Sequence, residues 1–208
     1  HHRKEGNTPM LSRTFVKSTL LLAIGTGIIA LSVTQAGHAA SQDDADVTAR
    51  IENAMSAAPT SIAANATILD YDMDAAGKFV VLREGSNGWS CFPDITSTPG
   101  NDPQCNDQAW MDWTYALFAG EEPDITAPGL AYMLQGGSDA SNTDPAATEP
   151  APGEDWVSAP PHVMLIMPEA LDQDVFTTDH DSGEPFIMWA GTPYEHIMMP
   201  VADGKHRP

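Results

Sequence analysis

Hydrophobic residues first recur at helical spacing in residues 44–57. Val47, Ile51 and Met55 follow one another four positions apart, with polar residues between them. This spacing places the three side chains on one face of a helix, and Pro59 ends the pattern. The segment therefore predicts a short amphipathic helix over residues 44–57.

A second helical pattern ends at Gly120. Either Asp102-Pro103 or Asn106-Asp107 opens it, since both pairs are typical of helix starts. Its apolar set consists of Trp110, Met111, Trp113, Leu117 and Phe118. So many large apolar side chains predict that this helix is the main core element.

Runs of apolar and β-branched residues predict strands elsewhere in the chain. Two runs, 66–73 and 78–83, flank Asp74-Ala-Ala-Gly77 and predict a β-hairpin. Further strands are predicted over 129–135 and 162–167, and a second hairpin over 185–190 and 194–200. Between them, residues 136–153 are rich in turn-forming residues and predict a long loop, a type of segment that is often functional.

The order of these elements indicates the fold class. Strands outnumber helices and do not alternate regularly with them, so we predict an α+β fold with an antiparallel sheet and two principal helices. Residues 40–204 are expected to form a single domain, because their number suffices for one hydrophobic core. Residues 205–208 are predicted to be a C-terminal tail.

The N-terminal region has the pattern of an export signal. Arg13 and Lys17 precede an apolar run from Leu20 to Val33, and small residues follow it. This pattern predicts a signal peptide over residues 10–39, preceded by upstream residues 1–9 that do not belong to the fold. The mature protein is then expected to be exported, periplasmic or secreted, without a membrane span after cleavage.

Charge is distributed unevenly along the chain, whose formal net charge is −20 at pH 7. Between Glu84 and Gly204 there are 21 Asp and Glu but no Lys or Arg. Arg and Lys normally hold phosphates, carboxylates and nucleic acids, so this composition excludes nucleic acid as a partner. It favours a neutral small-molecule substrate or a bound cation, while a solvated acidic surface is the simpler explanation of the charge itself.

The chain has two cysteines, Cys91 and Cys105. In an oxidising compartment such a pair predicts one disulfide, here closing a turn-rich loop. The alternative is a thiolate metal site or a nucleophile, which no second cysteine pair supports.

Asp70, Asp72 and Asp74 alternate as the first ligands of a calcium loop do. These three carboxylates are the predicted metal ligands, and calcium is the predicted cofactor. The match is incomplete, because Ala75 stands in place of the turn glycine and Val81 in place of the bidentate glutamate. The alternative interpretation is a row of solvent-facing carboxylates on one strand face.

Four residues form the predicted catalytic set, because they supply bases, a carboxylate and a hydroxyl. Ser138 and Asp139 lie in the polar loop, and His162 and His196 each begin an apolar strand. Ser138 lies outside any Gly-x-Ser-x-Gly elbow, and neither histidine has a zinc-site spacing. Turn formation by the loop and structural hydrogen bonds of the histidines are the alternatives.

Five methionines lie near these histidines in the sequence: Met164, Met167, Met188, Met198 and Met199. Thioether and imidazole ligands suit copper, which ranks after calcium as the predicted cofactor. Core packing is the alternative, since methionine fills irregular gaps well and strand alternation buries only some of the five.

Three segments carry a resemblance to known proteins: Asn87-Gly-Trp-Ser-Cys91, residues 131–145 and residues 150–156. Together they resemble a group of small, mostly uncharacterised exported bacterial proteins, over most of the predicted mature chain. Through a metagenome-derived member, the resemblance implies calcium-dependent hydrolysis of N-acyl-homoserine lactones, which is quorum quenching. The chain lacks the His-rich motif of zinc lactonases, so a zinc mechanism is not implied.

Two functional hypotheses follow. The first is an exported hydrolase for a neutral ester or lactone, in which a metal cation polarises the carbonyl. In it, His162 or His196 serves as the base, Asp139 orients the base or activates water, and Ser138 as nucleophile is a variant. The second is a non-catalytic periplasmic module that binds calcium, copper or a small ligand.

Overall fold

The computed structural model of the chain describes residues 34–202, with side chains from residue 44 onwards. The predicted upstream residues 1–9 and tail 205–208 lie outside the described residues, as does the predicted signal peptide up to residue 33. The last residues of the predicted signal peptide, 34–39, belong to the first helix. Within residues 34–202, no helix is both long enough and apolar enough to cross a membrane.

The described chain contains three helices, of which two are long. They are α1 (Thr34–Met55), α2 (Thr60–Ala63) and α3 (Gln108–Ala119). Asp107 caps α3, because its Oδ1 accepts the N–H of Trp110 at 2.8 Å, and Gly120 ends it in the left-handed conformation with φ 67°. Both predicted helices are confirmed; α1 begins earlier than predicted, and α3 uses the later of the two predicted starts.

Ten strands follow the order of the chain. They are β1 (Thr67–Met73), β2 (Phe79–Arg83), β3 (Ser90–Phe92), β4 (Gln104–Asn106), β5 (Gly129–Met133), β6 (Gly137–Asp139), β7 (Val157–Ala159), β8 (His162–Ile166), β9 (Phe186–Met188) and β10 (His196–Pro200). Eight form one sheet in the order β2-β1-β3-β4-β5-β8-β10-β9, while β6 and β7 form a separate ribbon. Among these ten strands, only β1 and β3 pair in parallel. The α+β class with a mostly antiparallel sheet is thus confirmed.

The predicted disulfide is present, and it joins two strands that the sequence did not reveal. Cys91 on β3 lies directly opposite Cys105 on β4, and their sulfurs are bonded. Each of these strands is three residues long, too short to show the alternation that identifies a strand. The predicted long loop likewise begins with β6, which pairs with β7.

Two main clusters of buried side chains lie along the sheet. One surrounds the disulfide, where the alanines at the end of α1 and in α2 pack against Ile68, Cys91 and Cys105. The other lies under α3, whose Trp110 and Trp113 pack with apolar residues of β5, β7, β8, β9 and β10. The second cluster encloses the cavity described below.

We expect the disulfide to be a large part of the stability of the first cluster. A chain with both cysteines replaced by alanine should lose about 3 kcal/mol of unfolding free energy, because the cross-link restricts a loop with a sequence separation of 14. Urea unfolding should show a midpoint lower by about 1 to 2 M than that of the oxidised wild type. An unchanged midpoint would contradict a stabilising role.

Candidate functional site

A cavity of about 230 Å³ lies between α3, the inner face of the sheet and the β6–β7 ribbon. Trp110 and Trp113 of α3 form one wall, and Met164 and Met198 of the sheet form another. None of the described residues that line it is Lys or Arg. Its polar lining includes Asp102, Ser138, Asp139, His162 and His196. The structure therefore brings all four predicted catalytic residues to one cavity and adds a carboxylate.

Asp102 is the added carboxylate, and only 3% of it is exposed. It accepts the hydroxyl of Thr98, the backbone N–H of Ser138 at 3.0 Å and the hydroxyl of Ser138 at 3.0 Å. Burial raises the pKa of Asp102, although these hydrogen bonds oppose the shift. The sequence signal for it was weak, since Asp102-Pro103 was interpreted only as a helix start.

Ser138 is fixed by this carboxylate rather than by a histidine. Its hydroxyl oxygen also accepts the backbone N–H of Gly100 at 3.0 Å. The side chain thereby joins the loop between the cysteines to β6. The contacts of Ser138 contain no serine–histidine pair among the described residues, so its present role is positional.

Asp139 lies one residue further along β6 and carries a strongly shifted carboxyl group. Its Oδ1 accepts the backbone N–H of Ser141 at 2.9 Å. Burial is the main cause that raises the pKa of Asp139 to about 6, and the nearby charge of Asp102 adds to it. A carboxyl group with this pKa exchanges a proton near neutral pH, as a general acid or base must.

His162 and His196 are both buried and neutral. Each Nδ1 contacts the carbonyl oxygen two residues earlier: Pro160 at 2.7 Å and Tyr194 at 3.0 Å. Because a carbonyl only accepts, each Nδ1 carries the proton and each Nε2 keeps its lone pair. Burial lowers the pKa of both imidazoles to about 4, so neither is charged at neutral pH.

Three buried polar atoms, all in residues that line the cavity, have no hydrogen-bond partner within the described part of the chain. They are Nε2 of His162 and the indole Nε1 of Trp110 and Trp113. Buried polar groups are normally paired, so such atoms in one cavity indicate that water or a ligand completes them. The group offers one acceptor and two donors.

Three tryptophans surround the second histidine. The ring centroid of His196 lies 5.5 Å from that of Trp110, 5.7 Å from Trp113 and 5.1 Å from Trp189, with interplanar angles of 80 to 83°. These edge-to-face contacts hold the imidazole rigidly against α3. His196 is therefore a polar group within an otherwise aromatic part of the cavity wall.

The predicted calcium ligands are not brought together. Asp70 is buried and forms an ion pair with Arg50, beside Asp72, in a second cavity of about 590 Å³ next to α1. Asp74 instead accepts the backbone N–H groups of Ala76 and Lys78 at 2.8 and 3.0 Å and closes the β1–β2 turn. Residues 34–202 contain no group of three or more His, Cys, Asp or Glu that could hold a metal ion.

We expect the stability of the protein to fall as the pH drops from 6.5 to 4. In this window the unfolded chain binds protons at His162 and His196, whereas the folded protein does not. Each imidazole therefore lowers the free energy of unfolding by up to roughly 3 kcal/mol. Asp139 acts in the opposite direction, because its raised pKa contributes stability that is lost as the pH rises to about 6. The free energy of unfolding of Asp139→Asn, measured with urea, should therefore fall more steeply with decreasing pH than that of the wild type. Equal pH slopes for variant and wild type would contradict this assignment.

The Asp102 carboxylate is expected to be essential for folding stability. Asp102→Ala leaves the Ser138 N–H and the Thr98 hydroxyl without their acceptor, which should cost about 2 to 4 kcal/mol of unfolding free energy. Asp155→Ala, at an exposed position, is the matched control and should change stability by less than about 0.5 kcal/mol. Thermal and urea unfolding measure both; similar values for the two variants would refute the role of Asp102.

Comparison with known proteins leaves the site to be interpreted from its geometry. No family model matches the chain, no curated protein matches it, and no solved structure matches it. The resemblance to exported bacterial proteins with lactone hydrolysis therefore stays a prediction.

Proposed function

We propose that the protein is a small hydrolase that opens a neutral ester or lactone in the cavity beneath α3. The observation that carries the proposal is the set of unpaired groups on its walls, together with Asp139. An ester or lactone presents a carbonyl acceptor to the indole donors of Trp110 and Trp113. Asp139, with a pKa of about 6, supplies a base at neutral pH.

The charge of the cavity supports a neutral substrate. Its two carboxyl groups, Asp102 and Asp139, repel anions, and no described lining residue offsets them with a Lys or Arg. The remaining walls consist largely of tryptophan, methionine and aliphatic side chains. A ligand with one polar end and an apolar chain matches these surfaces.

In the proposed reaction, the Asp139 carboxylate removes a proton from a water molecule that attacks the carbonyl carbon. The new carbon–oxygen bond gives a tetrahedral oxyanion, whose collapse breaks the ester carbon–oxygen bond as the proton passes from Asp139 to the leaving alkoxide. The product of a lactone is a hydroxy acid. Indole N–H groups would stabilise the oxyanion, while the Nε2 of His162 accepts a hydrogen bond from substrate or water.

Three features of the first hypothesis change in this mechanism. Asp139 replaces the histidines as the base, since burial makes His162 and His196 weak bases. Ser138 positions the ribbon through Asp102 and does not attack the substrate. No step uses calcium bound by Asp70, Asp72 and Asp74, because Asp74 closes a turn and none of the three lines this cavity with Asp139; the implied calcium dependence is tested by chelation.

Binding without catalysis is the second candidate function. The unpaired atoms indicate a ligand but do not require it to react, and the hydroxyl of Ser138 is held by Asp102. A binding module would retain a lactone unchanged. Assays of ring opening and of binding on the same preparation separate the two functions.

Activity should depend on the ionised form of Asp139. With N-acyl-homoserine lactones of several chain lengths and neutral aryl esters as substrates, kcat/KM should rise with pH through about 6. Asp139→Asn should lower kcat by about 10²- to 10⁴-fold, since an amide is not a base. A titration of released acid measures turnover at each pH, with and without a calcium chelator.

Asp155→Asn is the control, because it makes the same change at an exposed carboxylate outside the cavity lining. It should retain wild-type turnover. Full activity of Asp139→Asn, or trapping of an acyl group on Ser138, would refute the proposed mechanism. Retention of intact lactone by the wild type would instead establish the binding module.

A further inference from the structure

On the inner face of the sheet, histidine and methionine side chains lie directly opposite one another on neighbouring strands, in two His–Met pairs and one Met–Met pair. Met133 on β5 lies opposite His162 on β8, and Met164 on β8 lies opposite Met198 on β10. His196 on β10 lies opposite Met188 on β9. The three pairs form a diagonal band across four adjacent strands, which we call the His–Met band.

All six side chains of the band line the same cavity. Directly opposed residues in an antiparallel pair have Cβ atoms about 5 Å apart, within reach of a shared ligand for long side chains. A methyl group placed on Gly137 would contact both Met133 and His162, so these two side chains meet at one point of the wall. The neighbouring Met199 lies opposite Val163 instead and is not part of the lining.

The donor atoms of the band are soft thioether sulfurs and neutral imidazole nitrogens, and one of the nitrogens has no hydrogen-bond partner among the described residues. His162 presents an unpaired Nε2, and the contact of its Nδ1 with the Pro160 carbonyl has the geometry that orients metal-ligating histidines. Thioether ligands select Cu(I), whereas Zn²⁺ binds thiolate, imidazole and carboxylate, and Ca²⁺ binds oxygen ligands. Both cysteines are in the disulfide, so they do not compete for the metal.

We propose that the His–Met band is a Cu(I) site, with His162 Nε2, Met133, Met164 and Met198 as its ligands. Entry of a cation into this apolar wall needs a nearby negative charge. Asp102 and Asp139 line the same cavity and supply it, and the acidic chain favours cation approach. His196 and Met188 extend the band beside the tryptophans.

Copper binding is tested by anaerobic titration with Cu(I) in the presence of bicinchoninate, whose coloured complex reports the free metal. The wild-type chain should remove one equivalent of Cu(I) from the chelator, and quenching of indole emission should follow the same curve. Zn²⁺ and Ca²⁺ should produce neither effect. Failure to withdraw Cu(I) from the chelator would overturn the proposal.

The chain offers a control methionine, Met199, directly beside the proposed ligand Met198 on β10. Met164→Leu combined with Met198→Leu should weaken Cu(I) binding by more than about 100-fold, because changes outside the ligand shell alone typically cost 10- to 100-fold. Met199→Leu makes the same exchange on the opposite face and should change affinity by less than about threefold. Equal affinities in the folded double variant and Met199→Leu would reject the assigned ligands.

A spectroscopic measurement keeps the proposal testable if the double variant does not fold. X-ray absorption of the Cu(I)-loaded wild type should show sulfur and nitrogen atoms as neighbours of the metal. His162→Gln should remove the nitrogen contribution. Oxygen neighbours alone would refute the site. The copper site shares His162 and its cavity with the proposed hydrolysis, but the two functions are tested separately. Ring opening is assayed with a copper chelator and no metal, whereas the titration contains no lactone, so either function can fail alone.

Discussion

One chain of hydrogen bonds joins the parts of the protein that surround the cavity. Asn53 of α1 accepts the N–H of Asp94 at 2.7 Å, and Asp94 accepts the N–H of Asp102 at 2.8 Å. The carboxylate of Asp102 then holds the backbone and hydroxyl of Ser138 on β6. Each acceptor is buried or partly buried, so loss of one link leaves polar groups without water or protein partners. Through these bonds, α1 positions the β6–β7 ribbon at the cavity, although α1 packs mainly against the other core cluster.

These hydrogen bonds explain why Asp139, whose carboxyl group has a raised pKa, persists beside the carboxyl group of Asp102. Asp102 uses its oxygens to support the β6–β7 ribbon, and Asp139 lies next to it on that ribbon in the same low-polarity surroundings. Arg50 is paired with Asp70 in the second cavity and does not line the first. The site thus keeps its negative potential, and both proposals use it. In hydrolysis Asp139 acts as a base, and in copper binding Asp102 and Asp139 offset the charge of the cation.

Local patterns predicted the elements whose signals are contained in their own residues. The β1–β2 hairpin and α3 were found because strand alternation, the Asp107 cap and Gly120 act over a few positions. The three-residue strands β3, β4, β6 and β7 were missed, because their pairing partners and not their composition make them strands. Asp102 was missed for the same reason, since its hydrogen bonds to Ser138 span 36 positions.

The sequence by itself determined the charge deficit, the cysteine pair, the α+β class and the residue types available for chemistry. These properties depend on composition and short-range spacing. Only the tertiary structure decided which groups share a cavity: it brought Asp139 to His162, left Asp74 in a turn, and separated Met198 from Met199. Burial, which shifts the pKa values and leaves Nε2 of His162 unpaired, arises from contacts between strands far apart in the chain. No local pattern contains that information.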